Sequence, residues 1–307
     1  MKEVIIIVGP TAVGKTELAV DIAEKINGEI ISADSMQIYK YMDIGSAKPS
    51  ESEKRGVPHY LIDEIEPDST FSVSDYQRLA RSYINQIVEK GKMPIVAGGT
   101  GLYVNSILYD MDFSAMPSDG TIRKKLEKEA AEYGNTFVHN KLKELDPSAA
   151  ERIHPNNLKR VIRAIEVYHQ KGQGIKKFED SFVKNMDYKY ILIGLYRNRE
   201  ELYTRINKRV DLLMEAGLLK EVERLAASGL TKESISMKGI GYKELIGYLN
   251  KEYDLEQAVW LIKRNTRRYA KRQLTWFRRN RFIKWYNLSN YSLKEEIISD
   301  ILLYINS

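Results

Sequence analysis

The feature that most constrains this fold is an apolar run followed at once by a phosphate-binding motif near the N-terminus. Val4–Val8 is continuously apolar, which is typical of a strand covered on both faces of a parallel sheet. Gly9–Thr16 (GPTAVGKT) matches the pattern G-x-x-x-x-G-K-[ST], and a helical pattern runs from about Lys15 to Ile26. A strand, a loop and a helix in this order predict an α/β fold of the P-loop NTPase-like type.

The motif is expected to bind a phosphate group. Its glycines let backbone N–H groups converge on phosphate oxygens, and the following helix adds its positive N-terminal end. Lys15 supplies a charge to the outer phosphates, and the Thr16 hydroxyl typically binds Mg²⁺. A purely structural turn is the alternative, and the loop alone does not specify the phosphate compound. The predicted phosphate-binding residues are Gly9, Thr11, Ala12, Val13, Gly14, Lys15 and Thr16.

Other strand-like segments alternate with helical ones along the chain. Glu29–Ser32 and Pro94–Ala97 are short apolar strands, and Tyr188–Tyr196 returns to strand character after a charged helical stretch. All prolines lie at or before Pro155, which favours helices beyond it. We therefore expect a doubly wound parallel sheet with its ligands at the carboxyl ends of the strands. The predicted core is 1–118 and 186–307, with a helical C-terminal part, and the predicted helical insertion domain is 119–185.

Polar or glycine-rich segments follow two of these strands. Asp34 comes just after the strand at Glu29–Ser32, so the fold should place it beside the phosphate loop. A carboxylate there could bind Mg²⁺ or accept a proton from a nucleophile, and a helix N-cap is the alternative. Gly98–Gly101 should line the same crevice, where Thr100 offers a hydroxyl. A tight turn into a helix is the alternative for this segment.

Two arginines are candidates for a diphosphate contact. Arg205 and Arg209 lie four residues apart, on one face of a predicted helix. An arginine facing the crevice could neutralise a leaving diphosphate. Taken alone, the sequence favours the alternative, in which the arginines pair with Glu201 on the surface.

The excess positive charge is concentrated near the C-terminus. The net charge is +6, yet eleven Lys and Arg residues and no acid lie between Glu256 and Glu295. A solvated helix normally mixes the two signs, so this basic arm predicts a nucleic-acid partner. Aromatic residues within the arm, such as Trp276 and Phe277, are individually more typical of a core than of base stacking.

Composition excludes several classes of protein. Hydrophobic residues at 43% and charged residues at 29% are ordinary for a folded protein. The absence of cysteine excludes disulfides and thiolate metal sites. No apolar run reaches the ~18 residues needed to span a bilayer. These properties fit a cytosolic protein without membrane contact.

Taken together, the segments resemble the tRNA dimethylallyltransferases, also called tRNA isopentenyltransferases or the IPP transferase family, in their compact bacterial form. The resemblance runs nearly from end to end and rests on several motifs in the same order. These motifs are GPTAVGKT at 9–16, SADSMQIY at 32–39, MDIGSAKP at 42–49, PIVAGGTGLY at 94–103, IHPNNLKRVIRAIEV at 153–167, RINKRVDLLMEAGLLKEV at 205–222, KGIGYKE at 238–244 and TRRYAKRQLTWFRR at 266–279.

The resemblance implies transfer of a dimethylallyl group from dimethylallyl diphosphate to N6 of adenosine 37 in tRNA, with Mg²⁺ as cofactor. Asp34 would be the general base, while Lys15, Thr16 and Arg209 would hold the diphosphate. The insertion domain would grip the anticodon stem, and the enzyme would be a cytoplasmic monomer. The residues implied in tRNA contact are Asp34, Ser35, Met36, Gln37, Thr100, Arg123, Lys159, Arg160, Arg163, Lys238, Gly239, Gly241, Tyr242, Lys243, Arg267, Arg268, Lys271 and Arg272.

Four other functions compete with this one. A small-molecule kinase explains the phosphate loop and Asp34 but not the basic arm. A nucleic-acid-stimulated ATPase explains the arm, yet it needs an acidic residue after an apolar strand where Pro94–Ala97 runs into glycines. An inert RNA-binding module does not need the intact loop. Transfer to free adenosine nucleotides does not need the arm.

Overall fold

The strand predicted before the phosphate loop lies inside a six-stranded parallel sheet. The computed structural model describes residues 2–111, 120–172, 174 and 183–307. Within them the strand order is β3-β2-β4-β1-β5-β6, and every neighbouring pair is parallel. The strands are β1 (Lys2–Val8), β2 (Gly28–Ala33), β3 (His59–Tyr60), β4 (Met93–Gly98), β5 (Tyr188–Tyr196) and β6 (Lys284–Asn287).

Helices connect and cover these strands. Short 3₁₀ helices lie at Ser236–Lys238 and Leu288–Asn290. The α-helices are α1 (Lys15–Ile26), α2 (Glu51–Lys54), α3 (Val73–Glu89), α4 (Gly101–Leu108), α5 (Gly120–Tyr133), α6 (Asn135–Leu145), α7 (Pro147–Arg152), α8 (Leu158–Lys171), α9 (Arg199–Glu215), α10 (Leu218–Ala227), α11 (Tyr242–Leu249), α12 (Leu255–Phe277) and α13 (Lys294–Ile305).

The described chain divides into two compact units. The first is Met1–Leu108 with Asn185–Ser307, and the second is Tyr109–Lys184. The predicted boundary at 118–119 lies outside the described residues. The second unit has an apolar core of its own, formed by side chains such as Val138, Leu142 and Val161, each fully buried.

The core of the first unit forms around β1. Val4, Ile5, Ile6 and Ile7 are wholly buried, because neighbouring strands flank β1 and helices cover the sheet. β1 pairs with β4 and β5, so that Ile5 lies opposite Ile95 and Ile191. The prediction of an α/β doubly wound parallel sheet is confirmed.

The sequence predicted a helical C-terminal part, but the structure shows that this part also contains a strand. β6 pairs with β5 at the edge of the sheet, and α13 buries Ile297, Ile298 and Ile301 in the same core cluster as α1. Neither β3 nor β6 was predicted, because strands of two and four residues are too short to show a period of their own. Their partners in the sheet determine them.

Helix α12 is well defined by its sequence. Asp254 caps its N-terminus by accepting a hydrogen bond from the backbone N–H of Gln257 at 2.8 Å. Its buried positions recur at helical spacing on one face, and the basic residues occupy the remaining surface. The buried residues of α12 are Ala258, Ile262, Ala270, Gln273 and Phe277.

No helix among the described residues is both long and apolar enough to cross a membrane.

Candidate active site

The phosphate loop joins β1 to α1 at the carboxyl end of the sheet. Gly14 has φ of 110°, a backbone conformation that favours glycine, and α1 begins at the next residue. Two arginines from the segment after β5 hold the loop from outside. Arg197 donates from Nε to the carbonyl of Val13 at 3.0 Å, and Arg205 donates from Nε to the carbonyl of Ala12 at 3.0 Å. The loop conformation is therefore supported by residues distant in the chain.

A cavity of about 1360 Å³ opens at this loop. It brings together the four residues that the sequence implied in catalysis, although they come from different elements. Its lining includes the loop residues Thr11, Ala12 and Gly14, the four candidates Lys15, Thr16, Asp34 and Arg209, and also Gln37, Arg205, Tyr269 and Gln273.

The electrostatics of this cavity favour an anionic ligand. Burial lowers the pKa of Lys15 to about 8, with Asp34 acting in the opposite direction and Arg209 in the same direction. Burial also lowers the pKa of Arg209, against the effect of Asp34. Lys15 hydrogen-bonds the carbonyl of Pro10 at 2.8 Å. Asp34 acts on both of these partly desolvated cations and Glu53 on Arg209, and a diphosphate would supply further negative charge to them.

Asp34 lies in a turn directly after β2. Its Oδ1 accepts a hydrogen bond from the backbone N–H of Met36 at 2.9 Å. The segment from Ser35 to Ile38 is a turn and not a helix, so the alternative of a helix N-cap is wrong. The backbone N–H of Ser35 donates to Thr100 Oγ1 at 3.1 Å, which ties this turn to the glycine-rich segment after β4.

The two candidate arginines of α9 face the loop and the cavity. Glu201, the expected surface partner, pairs instead with Arg197 at 2.5 Å and accepts a hydrogen bond from Ser289 at 2.6 Å. Arg205 is thereby left to bind the loop, and Arg209 lines the cavity one turn further along α9. The alternative that the sequence favoured for these arginines is wrong, because a third arginine outside the pattern takes the carboxylate.

Comparison with known proteins identifies the family. The model of the family described as IPP transferase matches residues 37–280. The chain belongs to the IPP transferase family. It is 57% identical to a tRNA dimethylallyltransferase of Alkaliphilus oremlandii, over 100% of this chain and 99% of that protein. It is 56% identical to one of Acetivibrio thermocellus, over 99% of this chain and 98% of that protein.

Solved structures give the same result. The full-length tRNA isopentenylpyrophosphate transferase of Bacillus halodurans is 43% identical, with a TM-score of 0.76 over 100% of this chain and 96% of that one. A eukaryotic dimethylallyltransferase captured acting on tRNA is 28% identical, with a TM-score of 0.84 over 100% of this chain and 80% of that one. The resemblance inferred from the motifs is confirmed at the level of the family.

Part of the basic arm lies on the exposed face of α12, and its later cations, from Arg278 to Lys294, lie beyond that helix. Arg268, Lys271 and Arg272 are exposed and make no ion pair with other described residues. Arg267 is half-buried and donates from Nη1 to Asn207 Oδ1 at 2.6 Å. Arg268, Lys271 and Arg272 are therefore more available to a polyanion than Arg267.

The predicted tRNA residues of the KGIGYKE segment separate into two groups. Lys238 and Lys243 are exposed, whereas Tyr242 is fully buried and its hydroxyl donates to Glu221 Oε1 at 2.7 Å. Gly241 is buried as well. The structure thus assigns Tyr242 a packing role in place of the predicted tRNA contact, because its ring fills the space against Gly45.

In the helical unit, two predicted tRNA residues are held by an internal carboxylate. Arg123 makes two hydrogen bonds of 2.9 Å to Glu166, which is wholly buried. Arg163 adds a contact of 3.3 Å to the same carboxylate. Lys159 and Arg160 are exposed at the start of α8. A buried carboxylate needs such partners, so both arginines contribute to the core of this unit.

Sequence reasoning missed Glu221, which shapes the wall of the cavity. This buried carboxylate on α10 accepts hydrogen bonds from the backbone N–H groups of Asp43, Ile44 and Gly45 at 2.8, 2.8 and 3.0 Å. The loop it holds in turn accepts hydrogen bonds from Gln37. A glutamate within the otherwise apolar face of α10 was the signal available in the sequence.

Gln273 and Tyr269 of α12 were also missed. Both line the cavity. Burial first, and then the nearby Asp34 carboxylate, raise the pKa of Tyr269 to about 12, so its phenol is neutral at physiological pH. Gln273 is a polar residue within the buried face of the basic helix, and this placement is a signal that the sequence did contain.

Proposed function

We propose that the protein transfers the dimethylallyl group of dimethylallyl diphosphate to N6 of adenosine 37 in the anticodon stem-loop of tRNA. The observation that carries this proposal is a single cavity in which the phosphate loop, the desolvated cations Lys15 and Arg209, and the carboxylate of Asp34 come together. The helix α12, which carries no acidic residue after Glu256, lines the same cavity through Tyr269 and Gln273. The relatives named above as tRNA dimethylallyltransferases support the same chemistry.

The proposed reaction is a substitution at the allylic carbon. A bond forms between adenine N6 and this carbon, while the carbon–oxygen bond breaks and its electron pair leaves on pyrophosphate. Asp34 accepts the proton that N6 loses. Lys15, Arg209 and the N–H groups of the loop stabilise the negative charge that develops on the leaving group. The adenosine must leave its stack to reach this cavity, and Thr100 and Gln37 line its path.

Magnesium fits this arrangement as a partner of the substrate. No group of three His, Cys, Asp or Glu side chains among the described residues could hold a metal ion alone. Thr16 lines the cavity with its hydroxyl available at the start of α1. Mg²⁺ commonly takes one or two protein oxygens together with phosphate oxygens and water. We propose that Thr16 contributes the protein oxygen and that the ion adds to the neutralisation of the leaving pyrophosphate.

The glycines after β4 argue against a competing ATPase. A Walker-type ATPase needs an acidic residue after an apolar strand, whereas β4 ends in Gly98 and is followed by Gly99 and Thr100. The exposed cations of α12 favour a macromolecular acceptor over a free nucleotide. Because tRNA is the proposed acceptor, we expect the enzyme to act in the cytoplasm, and we propose that it acts as a monomer.

A transfer assay on an unmodified anticodon stem-loop tests this function. The reaction contains Mg²⁺ and either dimethylallyl diphosphate or ATP, and the nucleosides are analysed by mass spectrometry. The expected product is N6-dimethylallyl-adenosine, formed with the diphosphate donor only. A stem-loop with guanosine at position 37 is the matched control. Phosphate release from ATP on addition of RNA, without a modified nucleoside, would instead favour the ATPase.

A further inference from the structure

The side-chain amide of Gln273 joins the phosphate loop to the glycine-rich segment after β4. Its Oε1 accepts a hydrogen bond from the backbone N–H of Thr11 at 2.9 Å, and its Nε2 donates to the carbonyl of Gly99 at 2.9 Å. A backbone N–H can only donate and a backbone carbonyl can only accept. The two partners therefore determine the orientation of the amide, which is 5% exposed.

This contact determines which N–H groups of the loop can face a ligand. Pro10 has no N–H, and the N–H of Thr11 is engaged by Gln273. The donors left for a diphosphate are those from Ala12 to Thr16. The predicted diphosphate contact of Thr11 is thereby corrected for its backbone, because that N–H already has a partner.

The packing around the amide leaves little freedom. A Cβ atom added at Gly99 would lie 2.2 Å from Gln273 Nε2, so any larger residue there would displace the amide from its present position. Lys271 and Arg272, which come just before Gln273 on the same helix, are exposed cations. One helix therefore carries the basic surface outward and the loop-binding amide inward.

We propose that Gln273 is a positioning residue for diphosphate binding. Its amide holds Thr11 through one hydrogen bond and Gly99 through the other. The start of the phosphate loop is thereby fixed relative to the segment after β4. The N–H groups from Ala12 to Thr16 then converge on the diphosphate without reorganisation of the loop. Gln273 itself contacts the loop and not the reacting atoms. This inference rests on the proposed function, since it concerns the same donor site.

The test replaces Gln273 with methionine, which has a similar volume and forms neither hydrogen bond. Binding of dimethylallyl diphosphate with Mg²⁺, measured by calorimetry without RNA, is expected to weaken about tenfold. Under multiple turnover its KM should rise by a similar factor, while kcat and the Kd of the stem-loop change less than about twofold. Gln257→Met on the same helix is the matched control, because Gln257 is exposed and its side chain contacts neither segment.

A second variant separates positioning from a loss of folding. Gln273→Glu keeps the hydrogen-bond acceptor for Thr11 but replaces the N–H donor to Gly99 with an oxygen. We therefore expect the Kd of dimethylallyl diphosphate to rise again, while RNA binding persists. The proposal is overturned if Gln273→Met binds dimethylallyl diphosphate with the same Kd as the wild type. It is also overturned if the variant only lowers the active fraction, or weakens both ligands equally. Failure of the wild type to bind the donor would instead refute the proposed function.

Discussion

Raising the pH above about 8 is expected to weaken binding of dimethylallyl diphosphate through deprotonation of Lys15. Burial lowers the pKa of this ammonium from 10.5 to about 8 in the free protein. About half of the Lys15 side chains are then charged at pH 8 and about one tenth at pH 9. If the ammonium is needed for binding, the affinity should fall about tenfold per pH unit above 8. A lysine with an ordinary pKa would keep the affinity constant to about pH 10.

The neighbours of Lys15 predict the direction in which this profile moves. Asp34 raises the pKa of Lys15 and Arg209 lowers it. Asp34→Asn should therefore shift the midpoint of the binding profile to lower pH, and Arg209→Gln should shift it to higher pH. The two variants change the charge of the cavity in opposite directions. Asp34→Asn removes a negative charge and should raise the affinity for the diphosphate at pH 7, whereas Arg209→Gln removes a positive charge and should lower it.

Calorimetric titration with dimethylallyl diphosphate between pH 7 and 9.5, without RNA, measures this effect. A terminal phosphate loses its last proton near pH 6, so the charge of the ligand is constant over this range. Tyr269, with its pKa of about 12, does not titrate either. Lys15→Met should bind weakly and without pH dependence. A constant wild-type affinity up to pH 9.5, or the same slope in Lys15→Met, would refute the reasoning.

Three further predictions concern the base, the basic helix and a buried carboxylate. Asp34→Asn should lower kcat by at least ~10²-fold, with the stem-loop Kd within about twofold, because the amide oxygen can still accept the Met36 N–H in that turn. Neutralising Arg268 and Lys271 together should weaken RNA binding and reduce the slope of log K against log salt by about 2. Glu221→Leu should lower the free energy of unfolding in urea by at least about 3 kcal/mol, because three backbone N–H groups lose their acceptor.

Each of these predictions has a control and a contrary outcome. Normal turnover of Asp34→Asn would reduce Asp34 to a residue that shapes its turn. Lys263→Gln is the control for the basic helix, because Lys263 pairs with Asp211 at 2.5 Å, and an unchanged salt slope in the double variant would move the RNA surface elsewhere. If Glu221→Leu has the same urea midpoint of unfolding as the wild type, water replaces the lost acceptor.

Much of the site could be predicted because its residues follow strands. The phosphate loop is a run of consecutive residues whose spacing alone defines its chemistry. Asp34 comes directly after one apolar strand and Thr100 comes two residues after another, and parallel strands bring their carboxyl ends to one edge of the sheet. The contact between the Ser35 N–H and Thr100 is the outcome of that rule, since β2 and β4 are neighbours in the sheet.

The arginines were harder to assign, because a helical spacing gives the face of a residue and not its partner. Arg205 and Glu201 lie at the same spacing as Arg197 and Glu201, so the pattern could not decide between the two pairs. The sheet places Arg197 at the end of β5, next to the loop and to Glu201. Arg205 then binds the loop carbonyl instead of the carboxylate.

By itself, the sequence determined the phosphate loop, the parallel α/β sheet and the concentration of charge on α12, because each depends on residues close together in the chain. Only the tertiary structure decided the roles of Gln273, Glu221 and Tyr242. Gln273 binds a loop 262 residues away, and Glu221 holds a loop up to 178 residues away. A local pattern carries no information about such partners. Buried polar groups must find hydrogen bonds wherever the fold brings donors and acceptors together, and here that requirement completes the site.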